Sequence, residues 1–103
     1  MKSRKETLEE FVAADPNDSF SRYALALELE KNGEETHAVL HFREVISRDP
    51  GYVAAYYHLG RVLARTGNAD EARDVYRKGL EAAIAANDRR TSTEIQEALD
   101  ALD

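Results

Sequence analysis

Apolar residues recur three and four places apart along most of the chain, in short blocks separated by glycine, asparagine or proline. Leu25, Ala26 and Leu29 form one set, and Leu59, Gly60 and Leu63 a second. Ala38, Phe42, Val45 and Ile46 form a third, and Ala72, Tyr76, Gly79 and Leu80 a fourth. This spacing gathers each set on one face of an α-helix and leaves polar side chains on the other. Asn32-Gly33 and Thr66-Gly67 interrupt the pattern, because glycine takes the left-handed conformation that ends a helix without a Cβ clash. Pro50 after Asp49 stops another helix, since proline lacks an N–H and its ring crowds the preceding turn. Asn68 with Glu71 three places on has capping-box spacing, which predicts an Asn68 side-chain cap on the helix that follows.

The helices so defined read the same way twice. Tyr23 and Tyr57, Leu25 and Leu59, Leu29 and Leu63, Gly33 and Gly67, Ala38 and Ala72, Phe42 and Tyr76, Arg43 and Arg77, and Ile46 and Leu80 share one interval, 34 residues. A constant period of this size marks stacked repeats. Each repeat is a pair of antiparallel helices, A then B, and Gly60 and Ala72 are the small residues expected where the two backbones of one pair cross. Leu8, Phe11, Val12, Asp15 and Pro16 precede Phe42, Val45, Ile46, Asp49 and Pro50 by the same step, so the start of the chain reads as a lone B-type helix. Ile95, Ala98, Leu99 and Leu102 form a final apolar stripe, with Thr91 or Asp88 as its N-cap. The expected organisation is one domain over residues 1–103. It comprises a lone helix over 1–16, repeats over 18–50 and 51–87, and a capping helix over 88–103. Ordering a repeat costs about 1–2 kcal/mol per residue in backbone entropy, while a buried Leu, Phe or Val contributes only about 1.5–3 kcal/mol. A single repeat therefore needs neighbours.

This pattern resembles the tetratricopeptide repeat (TPR) family. In the second unit Leu59, Gly60, Gly67, Ala72 and Tyr76 match, with Tyr56 in the place of the usual leading Trp; in the first, Leu25, Ala26, Gly33, Ala38, Phe42 and Pro50 match. Arg22 stands where the leading aromatic is expected, so the first A helix is expected to pack less fully there or to face water. Gly79 replaces the usual Ala and Ile84 the closing Pro, so the second B helix is expected to run on and break near Asn87-Asp88. The resemblance implies an all-α fold, a right-handed α-α superhelix of antiparallel helix pairs, a TPR-like solenoid of about six helices. It also implies a non-catalytic protein-protein interaction module that binds a peptide or protein segment in the concave groove of its A helices. The family's groove positions fall on Phe20, Tyr23, Ala24, Leu27 and Lys31, then on Ala54, Tyr57, His58, Arg61 and Arg65. Of these, Tyr23, Leu27, Tyr57, His58, Arg61 and Arg65 are the candidate peptide-binding residues. Arg61 and Arg65 suit a carboxylate and the two tyrosines offer flat apolar walls. The clamp used by chaperone-binding members is not matched, because its places hold Tyr23, Leu27 and His58.

Composition narrows the partner. Twenty acidic residues against 14 basic ones give a net charge of −6, a field that repels phosphate backbones, so nucleic acid is excluded as an expected partner. The opening residues are charged and lack a secretion-signal core, and no apolar run reaches membrane-spanning length, which points to a cytoplasmic protein with no membrane partner. With no cysteine, thiolate metal sites and disulfides are excluded. There is no glycine-rich phosphate loop and no serine elbow, and no cofactor is expected. His37 and His41 are one helical turn apart, a spacing that metal ligands use; a small metal-dependent enzyme built on them is the remote reading, solvent-exposed histidines the plain one. Asp74 with Lys78 and Arg77 with Glu81 have i,i+4 spacing for surface ion pairs. The expected partner is a protein or peptide, acidic or with a free carboxylate. A self-assembling scaffold that forms a homo-oligomer through the unpaired N-terminal helix, by Leu8 and Phe11, is the alternative.

Overall fold

The computed structural model describes residues 1–103 and is all-α. Its six helices are α1 (Arg4–Ala14), α2 (Ser19–Lys31), α3 (Glu35–Arg48), α4 (Val53–Arg65), α5 (Ala69–Ala85) and α6 (Arg89–Leu102). They fall into two compact units, Met1–Asp49 and Pro50–Asp103. Each unit has three helices, and short turns make successive helices within a unit antiparallel.

In the first unit Leu25, Ala26 and Leu29 of α2 face Ala38, Phe42 and Val45 of α3, all of them buried. The Phe42 ring meets Tyr23 at a centroid distance of 6.1 Å with the planes tilted by 59°. Leu8 is the one residue of α1 that is buried. Arg4 to Glu28 at 3.5 Å and Lys5 to Glu34 at 3.3 Å tie α1 to its neighbours, but part-exposed pairs of this kind contribute about 1 kcal/mol or less. Burial of Leu8 is the larger anchor, and Phe11 remains 53% exposed.

In the second unit two helical glycines are required by close approach. A Cβ on Gly60 of α4 would run into the Tyr76 ring of α5, 2.6 Å from Cδ1 and 2.8 Å from Cζ. A Cβ on Gly79 of α5 would lie 2.6 Å from the Tyr56 Cβ and 3.0 Å from the Ile95 Cδ1. Gly79 thus lets α5 lie against both Tyr56 of α4 and Ile95 of α6. Replacing a helical glycine by alanine gains about 1 kcal/mol in helix propensity, whereas overpacking a core costs about 1–3 kcal/mol. The obstructing atom at Gly79 is itself a Cβ, which no side chain at position 56 other than hydrogen removes. Gly79→Ala is therefore expected to lower the melting temperature measured by circular dichroism, and Tyr56→Ala should not rescue it; a higher melting temperature would contradict this packing.

Three helices stop in the same way. Gly33, Gly67 and Asn87 have φ of 81°, 91° and 57°. Beyond them the N–H of Glu34 donates to Leu29 O at 2.8 Å, that of Asn68 to Leu63 O at 2.8 Å, and that of Asp88 to Ala83 O at 2.9 Å. These bonds close α2, α4 and α5 through a left-handed residue, for which asparagine is the usual substitute when glycine is absent. The break at Asn87 agrees with the expected run-on of the second B helix.

The helix starts include one departure from expectation, at Asn68, and settle one alternative, at Asp88. Asn68 makes no side-chain cap on α5; its amide turns back to Thr66 Oγ1 at 3.4 Å, and Asp70 and Glu71 supply negative charge to the first turn. At α6 the cap is Asp88, which accepts from the Thr91 N–H at 3.0 Å and the Thr91 hydroxyl at 2.7 Å. Asp18 caps α2 identically, accepting from the Ser21 N–H at 3.0 Å and its hydroxyl at 2.6 Å. The serine hydroxyl foremost, then the N–H, hold the Asp18 carboxyl below its ordinary range. For Asp88 the Thr91 N–H leads.

Arg22 corrects a further expectation. It is 9% exposed, and its guanidinium donates to the Pro16 carbonyl at 3.2 Å. Thirty-four residues on, the Tyr56 hydroxyl donates to the Pro50 carbonyl at 2.7 Å. One position thus bonds the equivalent proline carbonyl, six residues upstream, with two unlike side chains. On α5, Arg77 pairs with Asp74 at 3.8 Å, an i,i+3 contact.

Candidate functional site: the exposed faces of α2 and α4

The face of α4 is built from residues one turn apart. Tyr57 and His58 are half-buried and Arg61 and Arg65 exposed. The Tyr57 ring stands nearly edge-on to the His58 imidazole, 5.2 Å between centroids at 77°, and the Arg61 guanidinium carbon lies 6.0 Å from the Tyr57 centroid. Arg61 Nη2 is 3.2 Å from His58 Nδ1, which accepts when the ring proton is on Nε2. Three of the candidate residues are therefore gathered into one constellation, with a cation held beside an aromatic ring. Arg65 continues the same face a turn later. Beneath it the Tyr76 ring of α5 crosses Gly60 and is 2% exposed. Burial foremost pushes the Tyr76 phenol above its ordinary range; Tyr57 adds to the shift and Arg61 opposes it.

On α2 of the first unit, Tyr23 and Leu27 are half-buried and Phe20 is 68% exposed. Ala24 is buried, so this position is withdrawn from the surface. Tyr23 is propped by Phe42, and Phe20, Tyr23 and Leu27, three and four apart, form an apolar stripe on one face. Phe42, which supports Tyr23, and Tyr76, which lies against Gly60, were read from the sequence as core alone; they stand 34 residues apart.

The histidine pair has a different character. His37 is exposed, with Nδ1 3.8 Å from Glu34 Oε1. His41 is half-buried and its Nδ1 is shut from solvent without a hydrogen-bond partner. Burial foremost and the Arg22 charge hold the His41 imidazole below its ordinary pKa, against the pull of Glu9 and Glu44. No group of three or more His, Asp or Glu side chains is placed to hold a metal ion. A hollow lies elsewhere, at the turn from α5 to α6 beside Ile84, Asn87 and Arg89; it is open and carries no convergent chemistry. No helix is long and apolar enough to cross a membrane.

Paired helices of constant period, small residues at their crossings and glycine stops define a helical-hairpin repeat protein. Residues 23–88 match the tetratricopeptide repeat family model. A tetratricopeptide repeat domain protein from Salinibacter ruber is 38% identical; its crystal structure gives a TM-score of 0.79, covering 82% of this chain and 94% of that one. A solution structure of a tetratricopeptide repeat domain protein from the same organism, also 38% identical, gives 0.82, covering 86% and 90%. The solution structure of a Bordetella parapertussis protein, 28% identical, gives 0.84, covering 99% and 89%. No curated protein gives a significant match. The chain belongs to the tetratricopeptide repeat family, whose fold serves protein-protein interaction and is non-catalytic.

Proposed function

We propose that this chain is a non-catalytic interaction module that binds a peptide or protein segment on the exposed faces of its A helices. Tyr57, His58, Arg61 and Arg65 take an acidic side chain or a terminal carboxylate, and Tyr23 and Leu27 take an apolar one. The observation that carries this reading is charge. In a chain of net charge −6, α4, with the sequence VAAYYHLGRVLAR, has two arginines, a histidine and no acidic residue. Such a face is a local attractor for carboxylate, and an arginine fixed by ring and imidazole contacts loses less freedom on binding than a mobile one. The test is a dye-labelled acidic decapeptide with a free C-terminus, titrated by fluorescence polarisation. Arg61→Glu with Arg65→Glu is expected to weaken its Kd at least tenfold while leaving helicity unchanged, since both side chains are exposed. An unaltered Kd in the double variant would refute the assignment.

Self-assembly through α1 is the second reading, favoured by the exposure of Phe11. It requires a molar mass that rises with concentration in light scattering, and a constant monomer mass sets it aside.

A further inference from the structure

The last helix begins as an A helix begins. Asn17-Asp18 with Ser21 and Asn87-Asp88 with Thr91 share one spacing, and in both the aspartate accepts the N–H and the hydroxyl three residues on. The correspondence continues into the body of the helix. Ile95 and Leu99 stand 36 residues after Leu59 and Leu63, and all four are buried. Helices α4 and α6 touch within the second unit. Both run antiparallel to α5, so they point the same way.

The same register puts Thr93 at the place of Tyr57, Glu94 at that of His58 and Glu97 at that of Arg61. All three are exposed. Glu94 is engaged by Arg90 at 3.7 Å. Arg73 pairs with Asp70 and Asp103, and Arg77 with Asp74, and none of these pairs engages Glu97. Beside the basic face of α4 there is thus, on the neighbouring parallel helix and at the equivalent height, a carboxylate where α4 has a guanidinium.

We propose that the binding face of the second unit spans α4 and α6 and takes an extended peptide of mixed charge, an acidic residue on Arg61 and Arg65 and a basic residue on Glu97. This rests on the reading of α4 above and adds the second half of the ligand. Packed helix axes are about 8–10 Å apart. Three residues of polyproline-type backbone advance about 9 Å and return the side chain to the same side. The two ligand charges therefore fall three residues apart.

The probes are dye-labelled decapeptides on one uncharged, proline-containing background. One carries a single Asp, and two carry Asp and Lys three residues apart, in either order. One of the two orders is expected to bind at least fivefold more tightly than the single-Asp peptide. Glu97→Lys and Glu97→Gln are each expected to remove that advantage without weakening the single-Asp peptide. Neither order gaining, or an advantage that survives in Glu97→Lys, overturns the proposal. If the single-Asp peptide binds and responds to Arg61→Glu with Arg65→Glu, but lysine adds nothing, the α6 half alone fails. If it neither binds nor responds, the α4 reading fails and this one with it.

Discussion

Phe42→Ala is expected to lower stability by about 3–5 kcal/mol, the range for removing a fully buried phenylalanine. The side chain is among the largest that are completely enclosed, and it stands between α2 and α3 with its ring against Tyr23. Its loss leaves a cavity that the helix pair cannot close without moving Ala26 and Ala38, both fully buried and already small. Domains of this size have a net stability of about 5–15 kcal/mol, so the variant forfeits a large share of it. For a domain of 60–100 residues each kcal/mol shifts the melting temperature by about 4–8 °C, so a drop of more than about 12 °C is expected by circular dichroism. Phe42→Leu should cost much less, because it keeps most of the volume. A drop of under 5 °C for the alanine variant would mean that Phe42 is not the centre of this unit's core. Tyr23 would also lose its support, and the α2 face is expected to loosen before the unit unfolds.

Ile95→Ala is expected to cost about 2–5 kcal/mol and to act first on α6. That helix buries only Ile95 and Leu99, and Ile95, fully enclosed, packs at Gly79 of α5. Leu99 is the other buried apolar residue of α6 and is less enclosed than Ile95, so it compensates only in part. Amide hydrogen exchange should show α6 losing protection while α4 and α5 keep theirs, as expected when a terminal element opens locally. Equal loss of protection across α4, α5 and α6 would show that the helix is not a separable layer. If the two-charge peptide binds as proposed, this variant should also lose the lysine-dependent part of the affinity, because Glu97 would no longer be held at a fixed place.

The sequence carried the fold because repetition made each signal appear twice. Gly33 and Gly67 stop two helices by one mechanism, Leu25 with Leu59 and Leu29 with Leu63 line two cores, and Gly60 lies where one helix pair crosses. The errors fell where side-chain identity, not spacing, decides. Asn68 has the spacing of a cap, but its amide is drawn to Thr66. Arg22, in the place of the leading aromatic, was expected to leave the helix packed less fully or facing water, yet a carbonyl within reach and a long aliphatic stem keep it buried. The candidate site was legible only as a row of positions on two helices. The constellation within it was not, since the orientation of Arg61 over Tyr57 and toward His58 depends on rotamers that no periodicity specifies. The last helix was read as a cap over the second repeat; the Asp88 and Thr91 pair is the signal that aligns its start with that of α2.

Tyr56 and Arg22 show how loosely this architecture dictates chemistry at its joints. The Pro16 and Pro50 carbonyls each accept a hydrogen bond from six residues on, from a guanidinium at 3.2 Å in one case and a phenol at 2.7 Å in the other. Duplicated hairpins can therefore drift apart in composition while their hinges stay closed. A repeat whose signature aromatic has been lost, as in the first unit here, is still a repeat to any search that scores donors by reach instead of by residue name.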